Sequence, residues 1–195
     1  MAARINLSGD LWNGFGRNPG FSRRKLSFLP NGNCVILPNI NGRGYGFFKI
    51  TEGESSGLWS VLRSSEDEVL KGSLLITLYE NLRWKTISPQ GFREEMLAYL
   101  PNESNSLLFS MALSYLGDCQ RIFPSDSRPL EQVLWKIVTT NPVSQHRLQA
   151  FRLYRSIADS EEAVQRLYTL WQERKAPKDC ALSESDYIGL SYMLA

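Results

Sequence analysis

The feature that most constrains the fold is a leucine at every fourth position from Leu70 to Leu82. Four residues is slightly more than one turn of an α-helix, so these leucines share one helical face. Leu75 and Tyr79 widen the same stripe, whereas a strand would place Leu75 on the face opposite Leu74. The pattern therefore predicts an amphipathic helix, and the sequence Ser65-Glu-Asp-Glu68 before it predicts a capping box.

The chain continues with six more segments of the same type, so about seven helices of roughly 10–18 residues are predicted from Ser64 onward. Each segment combines a helix-start signal with apolar residues at helical spacing, and the connections between segments are short. The start signals are Ser88-Pro89, the region near Asn102, Pro129, Asn141-Pro142, Asp159-Ser-Glu-Glu162 and Ser183-Glu-Ser-Asp186.

The first 57 residues differ in kind, because they contain most of the glycines and are rich in asparagine, which are turn residues. Three short strands are predicted there, at Lys25–Leu29, Cys34–Leu37 and Tyr45–Ile50, and Asn31-Gly32 is a favoured hairpin turn between the first two. Three strands make a poor independent sheet, so these must pack on the helices, recruit residues 4–22 or belong to a larger sheet.

These patterns predict a mostly α fold with a boundary after residue 57. Residues 1–57 form partial β-sandwich strands and glycine-rich loops, and residues 58–195 form the helical domain. Helices joined by short loops run antiparallel to their neighbours, and such pairs stack into a curved α-solenoid. No fixed-period repeat is visible, so we expect an irregular HEAT- or ARM-like array.

Composition excludes several functional classes. A net charge of +2 with one dense basic cluster, Arg23-Arg24-Lys25, argues against nucleic-acid binding. Cys34, Cys119 and Cys180 are far apart along the chain, so buried free thiols are expected. A disulfide between two of them is the alternative. No stretch approaches the roughly 18 apolar residues of a membrane span, and the start lacks an apolar signal core, so a soluble chain is expected.

The chain offers no recognisable catalytic or metal centre of its own. A zinc peptidase of the His-Glu-x-x-His kind needs two histidines one helical turn apart, and His146 is the single histidine. His146 follows Asn141-Pro142 closely, which favours a surface or interhelical histidine over a catalytic base. The segment Asn41-Gly-Arg-Gly-Tyr-Gly46 has the wrong glycine spacing for a nucleotide loop and predicts a tight turn. We therefore assign no catalytic, metal or cofactor residue, and the substrate-binding residues stay unassigned.

Residues 37–195 nevertheless resemble the C-terminal region of M1-family zinc aminopeptidases, the aminopeptidase N group. The likeness rests on the order and spacing of several short segments, of which no single one is decisive. These are Leu37-Pro-Asn-Ile-Asn-Gly-Arg-Gly-Tyr-Gly-Phe-Phe48, Leu78-Tyr-Glu-Asn-Leu82, Ile87-Ser-Pro-Gln-Gly-Phe92, the Glu103 segment, Arg147-Leu-Gln-Ala-Phe-Arg152, Leu167-Tyr-Thr-Leu-Trp171 and Leu182-Ser-Glu-Ser-Asp-Tyr187.

The resemblance implies a role without chemistry. In that family a separate thermolysin-like domain carries the zinc, the His-Glu-x-x-His helix and the Gly-x-Met-Glu-Asn signature, and none of these is in this chain. The family's helical domain closes one side of the active-site cavity and restricts which peptides enter. The implied partners are thus the missing catalytic domain and, through it, peptide substrates; zinc is expected only in that missing domain.

Two other hypotheses stay open. The chain could be a stand-alone helical-repeat module that binds a peptide or protein partner in its concave face. It could also form a homo-oligomer through a free strand edge, because unpaired edges invite pairing. Substrate preference, compartment and oligomeric state cannot be read from the sequence.

Overall fold

A computed structural model describes residues 46–195, which contain eight α-helices. The described helices fall into two compact units, one that ends at Ser88 and one that spans Pro89–Ala195. The mostly α class is confirmed, and each of the seven helices predicted from Ser64 onward is present. The helices are α1 (Glu52–Ser64), α2 (Glu68–Arg83), α3 (Pro89–Tyr99), α4 (Ser106–Ile122), α5 (Arg128–Thr140), α6 (Ser144–Ile157), α7 (Glu161–Glu173) and α8 (Glu184–Leu194), with a 3-10 turn at Leu100–Asn102.

The start of the described chain differs from the strand prediction. Residues 46–50, which are the described part of the predicted strand Tyr45–Ile50, form no strand. The strands predicted at Lys25–Leu29 and Cys34–Leu37 and their hairpin turn lie outside the described residues, as do Cys34 and the basic cluster.

The sequence patterns did not indicate α1, and the boundary predicted after residue 57 falls inside this helix. Its first turns contain Gly53 and Gly57, which lower helix propensity and resemble turn residues. The overlooked signal is the capping box: Thr51 Oγ1 accepts from the Glu54 N–H, and the Glu54 carboxylate accepts from the Thr51 N–H at 2.7 Å. Leu58, Trp59 and Leu62 then bury one face of the helix.

The leucine stripe of α2 is buried as predicted, but its cap is different. Leu70, Leu74, Leu78 and Leu82 are each at most 1% exposed. The capping box predicted from Ser65 to Glu68 is wrong. Asp67 is the N-cap instead, because its carboxylate reaches the N–H groups of Val69 and Leu70 at 3.0 and 3.1 Å.

Asn81, which is completely buried in α2, ties the incoming chain to this helix. Its Oδ1 accepts from the Ile50 N–H at 2.9 Å and from Thr86 Oγ1 at 2.6 Å. Its Nδ2 donates to the Phe48 and Thr77 carbonyls, both at 2.8 Å. The amide therefore satisfies the backbone of a segment that has no sheet or helix to pair with.

Helix α6 is the central element of the second unit, since it packs against α4, α5 and α8. Its buried face is formed by Ala150, Phe151 and Tyr154, all 0% exposed. Gly117 lets α4 approach closely, because a Cβ there would lie 2.9 Å from Leu153 Cδ1. The solenoid arrangement of these helices stays a prediction.

Two helix starts in this unit lie later than predicted. Helix α4 begins after Asn105, whose Oδ1 accepts from the Leu107 and Leu108 N–H groups, whereas Asn102 belongs to the 3-10 turn. Asn141 ends α5 rather than opening α6, and its Oδ1 accepts from the Val143 N–H at 2.9 Å.

The last helix is fixed to α6 by an ion pair. Asp186 is 2% exposed, and Arg152 donates to its carboxylate at 2.8 and 3.2 Å. The predicted capping box of α8 is confirmed: Ser183 Oγ and the Ser183 N–H both bond the Asp186 carboxylate. Hydrogen bonds from Arg152 outweigh burial and lower the pKa of Asp186 to about 2.

Cys119 and Cys180 are buried free thiols, as predicted. Within residues 46–195, no helix is both long and apolar enough to cross a bilayer.

Replacing Asn81 with alanine should release the chain at Phe48–Ile50 from α2. Four hydrogen bonds are lost, and buried backbone groups are left unsatisfied, so we expect a loss of about 2–4 kcal/mol in the free energy of unfolding. Urea denaturation measures it. Asn102→Ala, which removes one exposed hydrogen bond to the Ala98 carbonyl, is the matched control and should change stability by less than about 0.5 kcal/mol. Equal effects would contradict the role of Asn81.

Replacing Asp186 with asparagine should destabilise the second unit at neutral pH and flatten its acid dependence. A carboxylate with a folded pKa of about 2 stabilises the fold above its unfolded pKa of 3.8, and this contribution is lost as pH falls through the folded value. We expect a loss of about 1–2 kcal/mol at pH 7, shrinking toward pH 2. Urea unfolding of both proteins between pH 2 and 7 tests this; a difference that does not depend on pH would contradict it.

Candidate functional site

The second unit contains a polar cluster around the buried His146, which we define as Tyr99, Glu103, Ser106 and His146. The His146 ring is 0% exposed and stacks on Phe109 of α4, with ring centroids 4.0 Å apart and planes 6° from parallel. His146 Nε2 lies 3.0 Å from Ser106 Oγ in the first turn of α4. His146 is thus interhelical, which is one of the two positions that the sequence predicted.

Glu103 brings a carboxylate into the cluster from the turn between α3 and α4. It is 4% exposed, and its Oε2 accepts a short hydrogen bond from the Tyr99 hydroxyl. Its Oε1 accepts from the Asn105 N–H at 2.7 Å, which fixes the residue that caps α4. Glu103 therefore links the end of α3 to the start of α4.

Burial dominates the ionisation of the cluster. Desolvation lowers the pKa of His146 from its ordinary value, and the nearby charge of Glu103 opposes this shift without overcoming it. Desolvation and the hydrogen bond to Glu103 raise the pKa of Tyr99 well above its ordinary range. At neutral pH the cluster thus holds a neutral histidine and a protonated tyrosine.

A serine beside a histidine suggests nucleophilic catalysis, but the geometry lacks two of its parts. His146 Nδ1 is buried and has no hydrogen-bond partner among the described residues, so no carboxylate orients the ring as in a triad. The N–H groups of Leu107 and Leu108, which could bind an oxyanion, already donate to Asn105. The hydrogen bonds of the cluster instead connect α3, α4 and α6.

The sequence did not indicate that Glu103 or Ser106 would lie beside His146. Glu103 was part of a resembling segment, and no sequence pattern distinguished Ser106. The available signal was Asn105 as an N-cap, which would have placed Ser106 in the first helical turn. That His146 would meet this turn depends on how α6 packs against α4, which is 40 residues away along the chain.

A shallow groove of about 640 Å³ follows the crossing of α4 and α6. Leu113, Leu153 and Ile157 supply its apolar lining, and Ser110, Ser114 and Gln149 line it with polar groups. Two tryptophans are partly exposed: Trp171 is 36% exposed on α7, and Trp84 is 67% exposed at the end of α2.

The cluster does not suit zinc. Its single histidine is sandwiched against Phe109, and no group of three histidine, cysteine, aspartate or glutamate residues within positions 46–195 could hold a metal ion. Family models, curated proteins and solved structures were each compared with the chain, and none matches it.

The geometry predicts that Ser106 is not an activated nucleophile. Incubation with a fluorophosphonate probe should leave Ser106 unlabelled, because His146 has no orienting carboxylate among the described residues and the Leu107 and Leu108 N–H groups already donate to Asn105. Peptide mass spectrometry after digestion reads the result. Labelling of Ser106 that disappears in His146→Gln would contradict this interpretation and indicate a hydrolase.

Proposed function

We propose that this chain is the C-terminal helical part of an M1-type zinc aminopeptidase, where it walls and gates the cavity in which a separate domain removes amino-terminal residues from peptides. The proposal rests on the resemblance of residues 37–195 to that family. One observation of the structure carries it further: segments that resemble the family, although far apart in the chain, bond to one another.

The first pair lies in the first unit. Asn81 belongs to the resembling segment Leu78–Leu82, and it donates to the carbonyl of Phe48, the last residue of the segment Leu37–Phe48. A buried side-chain amide that holds the backbone 33 residues upstream is a specific tertiary contact.

The second pair lies in the second unit. Arg152 closes the segment Arg147–Arg152, and it forms an ion pair with Asp186 of the segment Leu182–Tyr187 at 2.8 Å. Arg147, at the other end of its segment, donates to the Lys178 carbonyl at 2.6 Å. Both ends of the segment Arg147–Arg152 thus help to hold α8 and the loop before it against α6.

The proposed role needs no reactive group in this chain. Zinc in such enzymes lowers the pKa of a bound water for attack on the peptide bond. The residues described here do not fit that metal, and the proposal gives none of them a part in the hydrolysis itself. Their proposed contribution is a rigid helical wall that limits the space around the substrate.

A stand-alone helical binding module is the second candidate, favoured by the groove between α4 and α6. Its apolar lining of leucine and isoleucine, with Asp118, Arg121 and Arg152 also among the lining residues, suits a peptide that combines apolar with charged or polar side chains. This candidate predicts a mature protein of about 22 kDa, the mass of this chain, that works without a catalytic domain.

The two candidates separate in an immunoprecipitation from the source cells. An antibody raised against residues 89–195 should precipitate a protein much larger than 22.2 kDa together with hydrolysis of an aminoacyl chromogenic substrate. A chelator should abolish that hydrolysis, and added zinc should restore it. The isolated 195-residue chain, assayed in parallel, should neither hydrolyse the substrate nor retain stoichiometric zinc in elemental analysis.

Pre-immune serum and antibody blocked with the purified chain are the controls. A precipitated protein of about 22 kDa without activity would favour the binding module. Zinc held tightly by the isolated chain, or turnover by it that a chelator removes, would contradict the proposal.

A further inference from the structure

The surroundings of His146 suit only its neutral form. A neutral imidazole has one N–H donor and one acceptor nitrogen, whereas the protonated ring has two donors. Nε2 meets Ser106 Oγ, but Nδ1 is buried with no partner among the described residues. Protonation therefore adds a charge and leaves at least one poorly satisfied donor between α4 and α6, which is costly inside a protein.

The charged groups near the ring offset only part of the cost of a positive charge on His146. From the turn before α4, Glu103 acts on His146 electrostatically, and Tyr99 of α3 reaches the cluster through Glu103. On α5, Glu131 instead bonds Ser160 and the backbone before α7. On α8, Asp186 is held by Arg152 of α6. Glu103 is thus the carboxylate positioned to attract a protonated His146 ring.

Such a response would disturb the start of α4. The Glu103 carboxylate already accepts from Tyr99 and from the Asn105 N–H, and Asn105 caps the helix. Movement of Glu103 toward a charged ring weakens these bonds. Movement of the ring toward water instead breaks its stacking on Phe109 and its bond to Ser106.

We propose that His146 is a proton-sensitive joint: its protonation loosens the first turns of α4 from α6, so that this part of the second unit opens under mild acid. The direction follows from linkage. Because the folded pKa of His146 is lowered, the unfolded chain binds more protons in this range. Stability is complete above the unfolded value of 6.5 and falls as pH decreases toward the folded pKa.

His146 is the only histidine in the chain, so a ¹H–¹³C correlation spectrum contains a single imidazole Cε1–H signal. That signal reports the protonation of His146 without overlap. The 195-residue protein would be titrated from pH 7.5 to 4.5, with amide hydrogen exchange measured in parallel and corrected for its intrinsic pH dependence. We expect a midpoint below 6.5. Over the same range, protection should fall in the first turns of α4 and in α6, while α1 and α2 keep theirs.

Urea unfolding supplies the second readout. As pH falls from 7 to 5, the unfolding equilibrium constant should rise, by at most about tenfold per pH unit because a single group is responsible. Glu131 and Asp186, whose pKa values are lowered, titrate below this window. In His146→Gln this dependence on pH should be largely lost, whatever the stability of the variant at pH 7.

A pair of glutamate variants tests the role of Glu103. Glu103→Gln removes the attraction for the charged ring, so the midpoint of the His146 signal should fall further. Glu94→Gln, an exposed position on α3, should leave that midpoint unchanged. If His146→Gln does not fold, the wild-type titration and exchange data decide the proposal alone.

A midpoint at or above 6.5 would overturn the proposal. So would a titration that leaves protection in α4 and α6 unchanged, or acid opening that is the same in His146→Gln as in the wild-type protein.

Discussion

The second unit depends on the burial of one face of α6. Ala150, Phe151 and Tyr154 are fully excluded from solvent, and α4, α5 and α8 all pack against this helix. Burying such side chains contributes about 1.5–3 kcal/mol each for the larger apolar ones, which is the main favourable term for a helical domain of this size. The polar contacts of α6 then determine which neighbour meets which part of it.

Different polar contacts along α6 position different neighbouring helices. At its start, His146 stacks on Phe109 and bonds Ser106, which places α4. Farther along, Arg152 holds Asp186 and so places α8. The same helix therefore combines a contact that responds to mild acid with one that persists to much lower pH, because the pKa of Asp186 is about 2.

The sequence predicted the helices well because their signals are local. Leucines at helical spacing, Pro89 at a first helical position and the Ser183 box each act within a few residues. The wrong predictions have equally local causes. Gly53 and Gly57 made the start of α1 resemble a turn, and the Asp67 carboxylate, rather than the Ser65 side chain, accepts from the first N–H groups of α2. The site was not predictable in this way, since the meeting of Ser106 with His146 is a property of packing between distant helices.

The proposed scaffold role would give these contacts a common purpose, since a wall around an active site needs fixed helices and few reactive groups. The most direct measurement is the nucleotide sequence of the coding region upstream of codon 1 in the source genome and its transcript. Our account predicts one continuous reading frame that encodes a Gly-x-Met-Glu-Asn signature and a His-Glu-x-x-His helix before residue 1. A stop codon in frame just upstream of Met1, with a ribosome-binding site serving that Met, would contradict it.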